Sequence, residues 1–585
     1  MASAGDSAMD ATLQATSDLQ ALRSSAPVSP FGLIARARSD AERLKTVLES
    51  YGYYQSSVTI KINGTALSNA GLGSVLSALP KGSDARVAIS FNLGPLYHLR
   101  HVTIDGDIPE STRSAVRLAE GSTAAAAAVL AGGARLLTAL QERGYAFAKV
   151  DAPVAYEDQT QPVLDVSFHA VAGARVNIGE IRIVGLKRVH EKLVRARLLL
   201  HTGEQFSPKA IEQARHDLLT LGVFATVSVQ VGTAADSSGG VPITFDIRER
   251  PRHGVSINAA YSSDLGGSGG VTWTDRDVFG GAQQLSLSAS VLNLGGSATT
   301  GLGYDTSAKY IMPDFGRRDQ SLQLAVTAIK QSLEAYDQTA VMTGVTLNRK
   351  LSSIWTASVG VSTAVEQIIQ ESKRYDYLLY SLPLSVSLDS THLISPLDDP
   401  LHGMRASLSV TPTRSIGPPN ATFIITQVKV AGYLDLHALG LTEPGRSVLA
   451  ARALAGVAQG ASEFSLPPDQ RFYGGGSGTI RGYNYQTVGP VFPDDTPKGG
   501  TAIVAGGLEF RQRFGTNFGA AVFVDAGQVS ASLKPLPDVS RVGVGAGIRY
   551  YTPIGPIRLD IAVPTRYYPA NYSPFVVYIG LGQAF

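Results

Sequence analysis

"RVGVGAGIRYYTPIGPIRLDIAVP" (541–564) decides how the C-terminal half of this chain folds. At a period of two, Val542, Val544, Ala546, Ile548 and Tyr550 share one side, with Gly543, Gly545, Gly547 and Arg549 on the other. After a Pro- and Gly-containing turn, Ile557, Leu559, Ile561 and Val563 again share a side, opposite Arg558 and Asp560. A soluble sandwich would have the apolar face as its core and water on the other. A membrane-spanning barrel inverts this arrangement, with apolar residues outside and small, polar or charged residues inside, because hydrocarbon cannot hydrogen-bond an open sheet edge.

The same alternation runs through "QLSLSASVLNL" (284–294), "SLQLAVTAI" (321–329), "TFIITQVKVAGYLDL" (422–436) and "FVVYIGLGQAF" (575–585). Clusters of Gly, Pro, Asn and Asp punctuate these runs as hairpin turns. At about 21 residues per strand and connection, residues 251–585 hold about sixteen antiparallel strands. The last strand carries Val577, Ile579 and Leu581 on one face, is interrupted by Gln583, and ends on Phe585 as a C-terminal strand signal.

Composition narrows the remaining possibilities. The chain has 585 residues, too many for one core. Only 17% are charged, and the net charge of +2 gives no reason to expect nucleic acid as a partner. With no cysteine, disulfides and thiolate metal sites are excluded. No apolar run is long enough for a transmembrane helix; "AAAAAVLAGGARLLTAL" (124–140) reads as an ordinary alanine-rich helix. No export signal is visible at the N-terminus, which leads us to expect a mature or truncated form.

The first 250 residues follow another grammar. "SDAERLKTVLESYGYYQSSVTIKI" (39–62), "AVLAGGARLLTALQERGYAFAKVDAPV" (128–154) and "SPKAIEQARHDLLTLGVFATVSVQV" (207–231) each read helix, glycine, aromatic, strand. The helices stop at Gly52, Gly144 and Gly222, where a left-handed backbone is cheapest. A second repeat, "GPLYHLRHVTIDG" (94–106) and "GARVNIGEIRIVG" (173–185), would open each following unit. The result is strand–helix–helix–strand–strand, in three copies over 1–97, 98–175 and 176–250, before a barrel over 251–585. The first copy lacks its opening strand, so the chain is expected to begin inside it. Periodicity alone fits a generic α+β array equally well.

"RFYGGGSGTIRGYNY" (471–485) precedes a strand rather than a helix and lacks the ending of a nucleotide loop. If Leu508, Phe510, Val522 and Val524 face lipid, then Glu509, Phe523 and Asp525 face the lumen. An arginine delivered there by the loop would gain charge-assisted hydrogen bonds and a ring to stack on. Composition allows equally that both acids merely line a hydrated pore.

"IRGY" (480–483), "GLEF" (507–510) and "FVDAG" (523–527) together resemble the loop and strand motifs of the POTRA–barrel superfamily of outer-membrane insertion and secretion proteins. With "YSSDLGGSGGVTWTDRDVFGG" (261–281), the text is most similar to the TamA branch, the barrel subunits of the translocation and assembly module. The resemblance implies α+β POTRA repeats in the periplasm and an all-β barrel in the outer membrane of a Gram-negative bacterium. It implies a loop lock of Arg481, Gly482 and Tyr483 against Glu509, Phe523 and Asp525. It also implies a weakly paired seam between the first strand (near Val255–Tyr261) and the last (Val576–Phe585).

The expected function is assembly or secretion of autotransporters and other envelope β-proteins through that seam, in contact with the bilayer. The expected partners are unfolded substrates and a TamB-like inner-membrane-anchored protein. A general barrel-assembly insertase, a two-partner secretion pore and a passive porin are the alternatives. No enzyme is expected: the ten histidines are scattered, and no G-x-S-x-G or H-E-x-x-H occurs. Neither cofactor nor metal is expected, and the Asp-x-Asp of "TDRDVFGG" (274–281) reads as a hydrated turn.

Overall fold

The computed structural model describes residues 1–23, 28–80, 84–158, 160–393, 398–532, 540–553, 555–565 and 574–581. The first repeat begins with helices Ser7–Thr16, Asp18–Ala21 and Pro30–Ser50. Asp6 caps the first of these through the Ala8 and Met9 amides, and Ser29 caps the third, which has Pro30 at its first turn. Ile34, Ala37, Leu44 and Leu48 recur at helical spacing and bury against Met9, Leu13, Ile60 and Ile62. Strand Ser57–Ile62 pairs antiparallel with Val87–Asn92, and among the described residues no strand precedes the helices.

In the second repeat, strand His98–Asp105 lies parallel to Val163–Val171. Helix Ala126–Glu142 buries Val129, Leu136 and Leu140 into a core with Val166 and Phe168. Two short strands, Lys149–Val150 and Val154–Glu157, stand where the expected order has one. Pro153 falls between them and has no N–H to give the ladder. The third repeat has Ile178–Val184, helices Glu191–Leu198 and Pro208–Leu219, then Phe224–Val231 and Val241–Glu249, with the closing strand central in the sheet.

The helix–glycine–aromatic grammar also builds the joints between repeats. The Tyr97 amide donates to the Gly52 carbonyl at 3.0 Å, and the Val176 amide donates to the Gly144 carbonyl at 2.8 Å. At the first joint Tyr54 meets Tyr97 edge-on at 5.5 Å, and its hydroxyl donates to the Ala124 carbonyl at 2.7 Å.

From His253 onward the chain forms one closed antiparallel barrel. Segments Lys373–Ser381 and Leu384–Asp389 both lie between Trp355–Gln370 and Gly403–Ile416, so they are two halves of one strand, broken at Pro383. The barrel therefore has sixteen strands. Alternation sets its two faces: Val326, Val361, Leu408, Leu508, Val522, Ile548 and Ile561 are exposed outside, while Glu509, Asp525, Arg549 and Asp560 are buried inside.

Candidate functional site

Strands Ala502–Phe514 and Phe518–Ser530 pair with Leu508 opposite Val524 and Glu509 opposite Phe523. Gly507 stands opposite Asp525 in the same ladder, so both acids and the ring share the inner face. The segment 460–501 lies between strand Ser447–Gln459 and this pair, and buries Ile480, Arg481, Tyr483 and Asn484. Two glycines permit the approach of loop to wall. Gly482 has φ of +94°, and a Cβ there would sit 2.8 Å from the Val563 carbonyl carbon. A Cβ on Gly543 would sit 1.8 Å from the Arg481 carbonyl oxygen.

Arg481 has 0% of its surface exposed. Its Nε donates to Asp525 Oδ2 at 2.7 Å and its Nη2 to Asp525 Oδ1 at 3.2 Å. Its Nη1 donates to Glu509 Oε2 at 2.7 Å, and its own amide donates to Asp525 Oδ2 at 3.1 Å. Cζ lies 3.4 Å from the centroid of the Phe523 ring. Bidentate geometry, two acids and a stacked ring are what a desolvated guanidinium requires to stay charged. Tyr483 donates from its hydroxyl to the Val542 carbonyl at 3.3 Å. The structure thus brings together Arg481, Gly482, Tyr483, Glu509, Phe523 and Asp525; Phe585 lies outside the described residues.

Four further arginines complete the cluster. Arg452 Nη2 donates to Asp525 Oδ2 at 3.0 Å, and Arg511 Nε to Glu509 Oε1 at 2.8 Å. Arg549 pairs with Asp560, and Arg558 lies near that same acid. Arg511 also donates to Asp399 Oδ1 at 2.9 Å. Strand parity marked Arg549, Arg558 and Asp560 as inward, and the same rule applied to Ser447–Gln459 finds Arg452. Asp399 lies in the connection between strands Leu384–Asp389 and Gly403–Ile416, where parity is silent.

Among the described residues the first and last strands meet over a short stretch. Their ladder there consists of Tyr261 opposite Ile579 and Ser262 opposite Tyr578. The Ser263 amide adds a bond to the Val577 carbonyl at 2.9 Å, and the Val577 amide donates to Ser263 Oγ at 3.0 Å. The other edge of the first strand pairs with Gly266–Asp275 along its whole length, from His253 to Ser262. Val255 and Ile257 are 67% and 78% exposed. The loop reaches both sides of this seam. The Gly482 amide donates to the Tyr578 hydroxyl at 3.3 Å, and a Cβ on Gly476 would sit 3.5 Å from Asp264 Oδ2 in the first hairpin.

The Asp-x-Asp turn is buried rather than hydrated. Arg252 Nε donates to both Asp275 oxygens at 2.9 and 3.0 Å, and the Ala282 amide donates to Asp277 Oδ1 at 2.8 Å. Among the described residues no group of three His, Cys, Asp or Glu side chains could hold a metal ion.

Comparison with known proteins agrees with this architecture. The Omp85 superfamily domain matches residues 277–585, and the POTRA family, a surface antigen variable number repeat, matches 176–250. The outer membrane protein assembly factor BamA of Neorickettsia risticii is 23% identical over 484 residues, covering 76% of this chain. This chain spans only 60% of that relative's length. A crystal structure of BamA from Haemophilus ducreyi lacking POTRA domains 1–3 superposes with a TM-score of 0.65 at 19% identity, covering 83% of this chain and 100% of that one. CdiB from Acinetobacter baumannii gives 0.50 at 14% identity, covering 84% and 90%.

Proposed function

The chain belongs to the Omp85 superfamily, and from that premise we propose that it is a non-enzymatic factor that assembles or secretes β-strand polypeptides through its barrel seam. Its barrel is an outer-membrane barrel, with POTRA repeats on the periplasmic side. The observation that carries the proposal is the short ladder that the first and last strands form among the described residues, beside a long, exposed first-strand edge. Each backbone hydrogen bond contributes about 1 kcal/mol net, so parting this ladder costs a few kcal/mol. The freed edge is a template for an incoming strand by β-augmentation.

A loop that enters the lumen and buries Arg481 against its wall supports this reading over a passive porin. Within the superfamily, the motif text of 480–483, 507–510 and 523–527 favours the TamA branch. On that reading the substrates are autotransporters and other envelope β-proteins, and the repeats dock a TamB-like inner-membrane-anchored protein. Co-purification of the full chain with inner-membrane proteins tests the partner.

The seam itself is tested by a disulfide. Because the chain contains no cysteine, Tyr261→Cys with Ile579→Cys introduces a single pair at facing ladder positions. Oxidation is expected to abolish insertion of an autotransporter barrel into proteoliposomes, and reduction to restore it. Full activity of the oxidised protein would defeat the proposal.

A further inference from the structure

Arg558 is a lumen-facing arginine whose ion pair with Asp560, at 3.9 Å, is too long for a hydrogen bond. Among the described residues, its Nε and Nη1 have no hydrogen-bond acceptor, although its side chain is only 15% exposed. Asp560 bonds Arg549 through Oδ1, while its Oδ2 lies between Arg558 Nη1 at 3.9 Å and Arg481 Nη1 at 4.0 Å and hydrogen-bonds neither. Arg549 stands directly opposite Arg558 in the ladder, so two like charges face each other beside one shared carboxylate. A guanidinium held out of water without a bonded anion is destabilising, and an added carboxylate would relieve it.

The geometry says where that carboxylate would come from. On its other side Arg558 stands opposite Gly580 of the last strand. A Cβ built on Gly580 would lie 3.4 Å from Arg558 Nε and 3.8 Å from Nη2. The guanidinium therefore lies over the last strand where that strand has no side chain, on the way to the seam. Extending the Tyr261–Ile579 register puts Ala260 beyond Gly580. The inward positions of the first strand, Gly254, Ser256, Asn258 and Ala260, offer no carboxylate.

We propose that Arg558 is a recognition residue of the seam, donating to a carboxylate on a lumen-facing position of the polypeptide strand that enters between the first and last strands. This rests on the strand-pairing function proposed above and adds to it a substrate feature: an acidic side chain at one register position.

The test uses the full-length protein in proteoliposomes, with a photo-crosslinking residue replacing Ile257 on the first-strand edge. The probes are two ten-residue peptides of alternating Val and Thr, one with a central Glu and one with Gln there. The Glu peptide is expected to crosslink with an apparent affinity about tenfold higher. Arg558→Gln should equalise the two peptides. Gly580→Val, which keeps the charge but fills the passage, should do the same if Arg558→Gln fails to fold. Equal affinities on the unmodified protein, or a preference that survives both substitutions, would overturn the assignment while leaving strand pairing intact. If neither peptide crosslinks, the strand-pairing function falls and the assignment falls with it.

Discussion

The wall that receives Arg481 and the wall that contains the seam are built from the same alternating strands, yet their interactions are opposite in kind. At Arg481 a buried guanidinium has two carboxylates, a stacked ring and a backbone anchor, and its neighbours Arg452 and Arg511 share those acids. At the seam, two ladder pairs among the described residues join strands whose other edges are paired at length. The difference separates specificity from mobility. Charge-assisted hydrogen bonds in a dry site are costly to break singly, so they hold the loop in one place. A short ladder holds its strands loosely, which under the proposed function gives the barrel a defined place to part.

The loop links the two regions through Gly482 and Tyr578, and substitutions can break that link to different depths. Arg481→Glu is expected to have the largest effect. It would bury a third acid beside Glu509 and Asp525, costing about 3–5 kcal/mol of loop docking. Protease cleavage within 471–488 and a rise in single-channel conductance would report the released loop. If loop protection and substrate assembly both persist, the lock has no role.

Arg481→Lys sharpens the comparison by keeping the charge while losing the fork and the stacked plane. A cost of about 1–3 kcal/mol is expected, visible as partial loop cleavage. A lysine variant as protected as the original would mean that charge alone, without bidentate geometry, seats the loop.

The smallest effect serves as a control outside the barrel. Asp40 is fully buried in the first repeat. Burial alone would raise its pKa, but bonds from the Leu19 amide, Arg43, the Ser17 hydroxyl and the Asp18 amide outweigh it and lower the value. Its stabilising contribution is therefore present above the unfolded aspartate value of about 4 and is lost as pH falls through the lower folded value. Asp40→Asn should cost about 1 kcal/mol at pH 7 and flatten the loss of stability below about pH 4, read by proteolysis of the first repeat. The barrel loop should stay protected throughout, because Asp40 takes no part in it.

Much of this was legible before folding, for identifiable reasons. Glu509, Phe523 and Asp525 could be assigned inward because their neighbours Leu508, Phe510, Val522 and Val524 are apolar at a period of two. Gly52, Gly144 and Gly222 marked helix ends because each adopts a positive φ. Parity gives a side but not a height. It placed Arg549, Arg558 and Asp560 inside without revealing that Asp560 is shared while Arg558 lacks a bonded acceptor. The Pro153 interruption and the buried Asp275–Asp277 turn depended on partners that local pattern does not name.

The sequence by itself determined which side chains meet lipid and which meet the lumen, and where each repeat turns from helix to strand, because those are consequences of periods of 2 and 3.6 along a single segment. Only the tertiary structure decided how Arg481 divides its donors between Glu509 and Asp525 and which described residues of the first and last strands pair. Val577 and Ser263 are 314 residues apart, and no local rule sets the register between two ends of a chain. That register is fixed by the summed stagger of every intervening strand around the barrel.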